Sequence, residues 1–320
     1  MLKQTMLLHA AALAATLTVT ALPAQAQTKV TAGVAAFNEA LLPVFTAREK
    51  GYFKAEGLDV EMVDFKGGAP AVQALAGGSI DVCFCAADHV IRLRARRQPA
   101  LVLVGLDAFH SYALIAKADA PYTNLASLKG KRVGITSPGS FTDNTIRYSM
   151  KALGLNPERD FEITGAGGGA TMQAALDTDR IAAGMFILTD IANIMQKAGA
   201  YKVVEDYRAL PYPSFAAIAL ESYVKNSPKA AKGFARAVAK AMAELEKDPA
   251  LGRAVLAKMF PTFSPQLVAE VAKSAIERAP KGGIVSAESI ENLNKIVLAT
   301  DDTLKAVTLQ EAFDASVLKD

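Results

Sequence analysis

Apolar and polar positions change period along this 320-residue chain, and the changes come in a repeating order. Residues 29–35 read as a short strand that breaks at Phe37-Asn38-Glu39, and residues 41–50 take helical spacing before Gly51, a suitable C-terminal cap. Alternation returns over residues 59–65 and predicts a second strand. Gly67-Gly68 then turns into a helix that tolerates Pro70, because an N–H in the first turn has no intrahelical partner; Gly77-Gly78 ends it. Residues 80–84 form a third strand, a helix follows from Asp88 to Arg97, and residues 100–106 are a fourth, buried strand. A second round begins after Leu125 and Leu128: strand 132–135, a helix ending at Leu153, strand 160–164, a second glycine turn with its helix, strand 182–188, a helix opened by Thr189-Asp190, and strand 201–207. Past Pro211 and Pro213, residues 215–220 are an apolar run able to return to the first sheet. From Ser227 the pattern is helical, over 228–246, 249–259, 265–279 and 287–304, with starts marked by Ser227-Pro228, Asp248-Pro249, Ser264-Pro265 and Ser286.

Strands alternating with helices predict an α/β chain with two doubly wound, mostly parallel sheets covered on both faces. One unit occurs twice, about a hundred residues apart. Gly57-Leu58, Phe65, Gly67-Gly68-Ala69, Gln73-Ala74 and Ile80-Asp81 are answered by Gly154-Leu155, Phe161, Gly168-Gly169-Ala170, Gln173-Ala174 and Ile181-Ala182. Two long units do not make a solenoid, which needs three or more short ones. They imply two similar lobes, 27–112 with 213–320 and 113–212, and a cleft between them. Chain crossings near Phe109–Tyr112 and Arg208–Ser214 would be the hinge, and two crossings restrict motion to opening and closing.

The first 26 residues change the expected address. Lys3 heads an apolar stretch over residues 6–22, and Ala24-Gln25-Ala26 has the small-x-small pattern of signal-peptidase cleavage, so a secretory signal peptide (1–26) cut after Ala26 and a periplasmic protein are expected. No later stretch approaches 18 apolar residues. A net charge of +3 with interspersed signs lacks the basic footprint of a nucleic-acid binder.

Candidate chemistry collects where strands end, because ligands of open α/β sheets sit outside the strands' carboxyl ends. Those ends carry Phe37, Asn38 and Glu39; Asp88 and His89; Ser137, Ser140, Phe141 and Thr142; and Asp190. The hydroxyls of Ser137, Ser140 and Thr142 can grip an acceptor or simply cap a helix. Asp88 and Asp190 can likewise cap; facing the cleft with Glu39, they would ask for a ligand with an amine or ring N–H donors. His110 stands at the first crossing without a nucleophile-elbow serine, and Phe109 and Phe215 could enclose an apolar ligand part. Residues 165–170 match a dinucleotide fingerprint, yet the first copy's turn does not keep it, and close strand–helix packing explains the glycines. Cys83 and Cys85, two apart on a strand, can be buried apolar side chains, a strained bridge, or metal ligands with Asp88 and His89.

The run from Pro43-Val44-Phe45-Thr46-Ala47-Arg48-Glu49-Lys50-Gly51-Tyr52-Phe53 through Glu56-Gly57-Leu58-Asp59-Val60 resembles a signature of periplasmic substrate-binding proteins. These serve ABC importers of nitrate, aliphatic sulfonates, taurine and pyrimidine precursors. Gln73-Ala74-Leu75-Ala76-Gly77-Gly78-Ser79-Ile80-Asp81, residues 125–133 and Phe313-Asp314-Ala315-Ser316 extend the resemblance over most of the chain. It implies a two-lobed periplasmic-binding-protein fold, a monomer without cofactor, metal or catalysis, and a small-molecule ligand carrying a sulfonate, carboxylate or heterocycle that is handed to an ABC importer permease. Phe37, Asn38, Glu39, Asp88, His110, Ser137, Ser140, Phe141, Thr142 and Asp190 are the expected ligand-binding residues. A eukaryotic relative of this fold makes the thiamin pyrimidine and carries a Cys-Phe-Cys run. Cys83-Phe84-Cys85 resembles it in part, so a metal-dependent enzyme using both cysteines and His89 is an alternative, as is a periplasmic ligand sensor.

Overall fold

A computed structural model describes residues 26–318; the residues read as the signal peptide's charged and apolar parts, and Ala24-Gln25, lie outside the described residues. The first stretch runs β1 (Thr28–Val34), α1 (Leu42–Glu49), α2 (Tyr52–Ala55), β2 (Leu58–Asp64), α3 (Gly68–Ala76), β3 (Val82–Cys85), α4 (His89–Ala95) and β4 (Ala100–Phe109). The middle comprises β5 (Tyr112–Lys117), β6 (Arg132–Ile135), α5 (Phe141–Ala152), α6 (Pro157–Asp160), β7 (Glu162–Gly165), α7 (Ala170–Asp177), β8 (Ala183–Ile187), α8 (Leu188–Ile194) and β9 (Tyr201–Asp206). The chain then returns through β10 (Pro211–Leu220) and closes with α9 (Glu221–Asn226), α10 (Pro228–Lys247), α11 (Pro249–Met259), α12 (Pro265–Arg278), α13 (Ala287–Leu298) and α14 (Leu309–Ala312).

The strands form two five-stranded sheets, ordered β2-β1-β3-β10-β4 and β7-β6-β8-β5-β9. Each has a parallel trio, then one antiparallel strand, then an outer strand paired antiparallel to that one. The antiparallel member is in both cases the strand that has just crossed from the other sheet: β5 follows β4 and β10 follows β9. Pro211 and Pro213 fit inside β10 because its pairing with β4 slips between Pro211 and Phe215, where the missing N–H groups cost no ladder bond.

The internal duplication goes deeper than the residues that announce it. A Cβ on Gly33 of β1 would stand 2.4 Å from Ile80 Cδ1, and one on Gly134 of β6 would stand 2.6 Å from Ile181 Cδ1. Both first strands thus lack a side chain where the isoleucine after the glycine-turn helix packs onto them. Gly134 is also 2.7 Å (from its absent Cβ) to Met172 Sδ, so Gly134→Ala should lower stability by about 1–3 kcal/mol through overpacking, read by denaturant unfolding. No loss at all would show that Met172 and Ile181 yield freely.

Alanine and valine faces let α10 to α12 press against the first sheet, where Phe84, Phe234 and Phe53 form an aromatic chain through the core. Asp248, Ser264 and Ser286 accept bonds from first-turn N–H groups, as their positions predict; Ser227 makes no side-chain cap. Three expectations need correcting. Strand β5, with four buried residues, is an element missing from the expected set, because only His110-Ser111, with no glycine or proline, separates it from β4. Helix α13 stops at Leu298, six residues before the expected Leu304, and Thr300 turns back to Val297 O. Asp88 precedes α4 without a side-chain capping bond, and Asp190 lies inside the first turn of α8 and does not cap it.

Candidate functional site

Where the two sheets face each other the structure holds a cavity of about 480 Å³, within the range of small-molecule sites. Both glycine turns line it: Gly67 and Gly68 from the first copy, and Gly167, Gly168, Gly169 and Ala170 from the second. Other strand ends add Phe37 after β1, Ala86 and His89 after β3, Thr136, Ser140 and Phe141 after β6, and Asp190 after β8. Tyr112, Ser214 and Phe215 complete the wall from the beginnings of β5 and β10. A strand running against its neighbours presents its entry end where they present their exits, so these three reach the same rim.

The aromatic groups are held before any ligand arrives. Phe141 stacks on Tyr212 with ring centres 4.6 Å apart, and Tyr112 meets Phe141 edge-on at 5.8 Å. Phe37 leans on Phe45 and Phe260, yet 42% of it is exposed, so its ring stands at the cleft's mouth. His89 is nearly fully buried and lines the cavity, with Nε2 lacking a protein partner. Burial pushes its pKa down despite Asp88 at 3.9 Å, so the imidazole is neutral. Gly68 makes room for it, since a Cβ there would stand 2.8 Å from His89 Nε2.

The floor is acidic. Asp190 has its pKa raised to about 6 by burial, partly offset by the backbone N–H of Gly169 beside it. Glu39 is 1% exposed, and neither carboxylate oxygen has a partner. Burial first, then the charges of Asp107 and Asp190, lift it to about 8, against the opposing pull of Arg278 and its own backbone. Its backbone N–H donates to Thr189 Oγ1 at 3.2 Å, which ties the segment after β1 to the start of α8.

Beneath the floor Arg278 of α12 gathers both chain crossings. Its Nη2 donates to Asp107 Oδ2 at 2.8 Å and to the carbonyls of Phe109 and His110, each at 3.1 Å, while Nη1 donates to Arg208 O at 3.1 Å. Ser111 Oγ donates to Asp107 Oδ2 at 3.1 Å and meets Ser214 Oγ of the second crossing.

The residues expected to bind ligand fall into three groups. Phe37, Ser140, Phe141 and Asp190 line the cavity. Ser137 and Glu39 are outside the lining: Ser137 Oγ lies 3.8 Å from the place of a Gly67 Cβ, itself in the lining, and has no protein partner, and Glu39 is buried, its carboxyl feeling the charge of the lining residue Asp190. Asn38, Asp88, His110 and Thr142 are fully buried in structural bonds. Asn38 Oδ1 accepts from Ala40 N, Asp88 Oδ2 accepts from Asn144 Nδ2 at 2.6 Å, and Thr142 Oγ1 accepts from Thr136 N at 2.9 Å. His110 bonds Thr145 Oγ1 at 2.9 Å, and burial lowers its pKa to about 3. Phe109 lies under the Arg278 guanidinium. Cys83 and Cys85 are free and buried in the core beside β10, and burial pushes the Cys85 thiol up, away from its thiolate form. Among the described residues no group of three or more His, Cys, Asp or Glu side chains is placed to hold a metal ion, and no helix is long and apolar enough to cross a membrane.

Two mixed sheets joined by two crossings, with a cavity at their facing edges, define a periplasmic-binding-protein fold. A structure from Bordetella bronchiseptica RB50 superposes with a TM-score of 0.80 at 24% identity, covering 92% of this chain and 96% of that one. The alkanesulfonate-binding protein SsuA from Xanthomonas axonopodis pv. citri, bound to MOPS, gives 0.72 at 17% (90% and 99%), and the nitrate-binding protein NrtA from Synechocystis gives 0.70 at 19% (91% and 87%). The chain belongs to the NMT1/THI5-like family, whose model matches residues 38–251. Its curated relatives include a 4-amino-5-hydroxymethyl-2-methylpyrimidine phosphate synthase of Saccharomyces cerevisiae, 25% identical over 71% of this chain and 68% of that protein. The putative binding protein YtlA of Bacillus subtilis is 24% identical over 65% of this chain and 63% of its own length.

Proposed function

We propose that this protein is a periplasmic solute-binding protein that closes two lobes, 27–112 with 213–320 and 113–212, around a small organic molecule and delivers it to the permease of an ABC importer. In this reading the signal peptide is removed after Ala26 and the mature protein works as a monomer. One observation carries it: both copies of the duplicated glycine turn meet at one cavity, with preformed aromatic walls above an enclosed polar floor. The sulfonate- and nitrate-binding proteins of the same fold support capture of a small solute, and they leave this chain's own solute open to its cavity's chemistry.

The synthase relative keeps an enzymatic reading in view, but the side chains do not favour it. His89 reaches the cavity while both thiols lie in the core, so Cys83, Cys85 and His89 do not converge on one reacting centre. A thermal-shift screen of small sulfonates, carboxylates, amines and heterocycles tests the binding role. A ligand at a hundred times its Kd should add about 2.7 kcal/mol and several degrees to the Tm. Silence from every class at millimolar concentration would contradict the reading.

A further inference from the structure

The cavity's electrostatics are those of a site for a positive group. We infer that the solute is an aromatic or similarly flat molecule carrying an amine or amidine, with its N–H donors set against Asp190 and its ring among Phe37, Tyr112 and Phe141. The inference rests on the solute-binding reading and adds the chemical class of the solute.

Three observations carry it. First, no arginine lines the cavity, and Lys66, the one lysine there, is exposed at the rim beside Asp64, whose Oδ2 is 3.5 Å from Lys66 Nζ. An anionic solute would find no buried cation. Second, Asp190 stands at the start of the second glycine-turn helix, where a Cβ on Gly169 would lie 3.6 Å from Asp190 Oδ1, so an anion approaching that helix start meets a carboxylate. Third, Glu39 keeps two buried oxygens without any donor. A buried carboxyl in that state resists ionisation, the charge of Asp190 adds to the cost, and a cation seated at Asp190 relieves it. Tyr112 joins the acids to the cavity: it lines the wall, and both Asp190 and Glu39 oppose ionisation of its phenol. Every charged group near Glu39 is accounted for by Asp107, Asp190 and Arg278, and Arg278 is already committed to Asp107. On the opposite wall, neutral His89 is free to bond an uncharged polar substituent.

The test compares solutes with one aryl body and different charge: benzylamine and benzamidine, benzoate and benzenesulfonate, and neutral benzyl alcohol, titrated calorimetrically into the wild-type mature protein and into Asp190→Asn. Asparagine has nearly the same shape as aspartate, so the fold is retained, as the unchanged far-UV spectrum would verify. The cationic pair should bind at least about tenfold more tightly than the anionic pair, and Asp190→Asn should erase that preference. Glu39→Gln should weaken the cationic pair in the same direction. Tighter binding of benzoate or benzenesulfonate, or a preference untouched by Asp190→Asn, overturns the inference and leaves the solute-binding reading standing. Silence from all five probes at millimolar concentration overturns the inference as well, and the broader thermal-shift screen then decides the solute-binding reading.

Discussion

Arg278→Met lowers the unfolding free energy of the ligand-free protein by about 3–5 kcal/mol, the range found when one partner of a buried ion pair is removed. Arginine here does more than neutralise. Its fork reaches Asp107 on one crossing, the carbonyls of Phe109 and His110 beside it, and Arg208 O on the other crossing. Methionine fills a similar volume and leaves Asp107, 3% exposed, with only Ser111 Oγ and Phe109 N–H as donors. Burial already pushes the Asp107 carboxyl up, with Arg278 pulling against it, so the variant's Asp107 takes up a proton more readily. Stability lost by Arg278→Met is therefore greater at pH 8 than at pH 5. Arg278→Lys restores charge without the fork and should recover only part. A loss below about 1 kcal/mol in urea unfolding would show that the crossings do not depend on this clamp.

Glu39→Gln raises stability at alkaline pH. The carboxyl titrates near 4.5 when unfolded and at about 8 when folded, because burial and neighbouring acids disfavour its charge. Between those values the folded chain holds a proton that the unfolded chain has released, so stability falls as pH rises through the window. The contribution is fully present below the unfolded value and is lost by the time pH passes the folded one. At most this is roughly 4–5 kcal/mol, and relaxation or water entry reduces it to a few. Glutamine cannot ionise, so the Tm difference in favour of Glu39→Gln should be smallest near pH 5 and widen to pH 9. Parallel Tm curves for the two proteins would mean that Glu39 reaches solvent. The same substitution that steadies the empty protein should weaken it as a receptor for cations, which is the usual exchange between stability and a prepared site.

Much of the fold could be read from glycine and proline punctuation. The glycine turns at Gly67 and Gly168 announce a duplicated unit because a strand must turn tightly into a helix there, and both turns line the cavity. Helices α10, α11 and α12 begin at the expected Ser-Pro and Asp-Pro steps, where proline suits a first turn. Strand β5 escaped because only His110-Ser111, without glycine or proline, separates it from β4, so one long strand and two shorter ones look alike. For the site, segments were legible and individual side chains were not. The parallel-strand ends were expected, and so was Phe215, whereas Tyr112 and Ser214 enter from the beginnings of reversed strands, which only the sheet order reveals. Asn38, Asp88, His110 and Thr142 had the right position along the chain, but they are buried outside the lining and bonded within the protein, Asn38 and Thr142 to near neighbours and Asp88 and His110 to α5. Arg278 gave no signal at all, being 171 residues from its partner Asp107 and at the end of an amphipathic helix, where a basic residue is ordinary.

The central claim is that one solute is gripped simultaneously by the two halves of the duplication. Hydrogen exchange with and without a solute that raises the Tm tests this directly. Slowed exchange is expected in two separate places, at Gly67–Val72 of the first turn and at Gly168–Met172 of the second, together with Tyr112 at the crossing. Slowing confined to one turn, or found only outside the cleft, would contradict it.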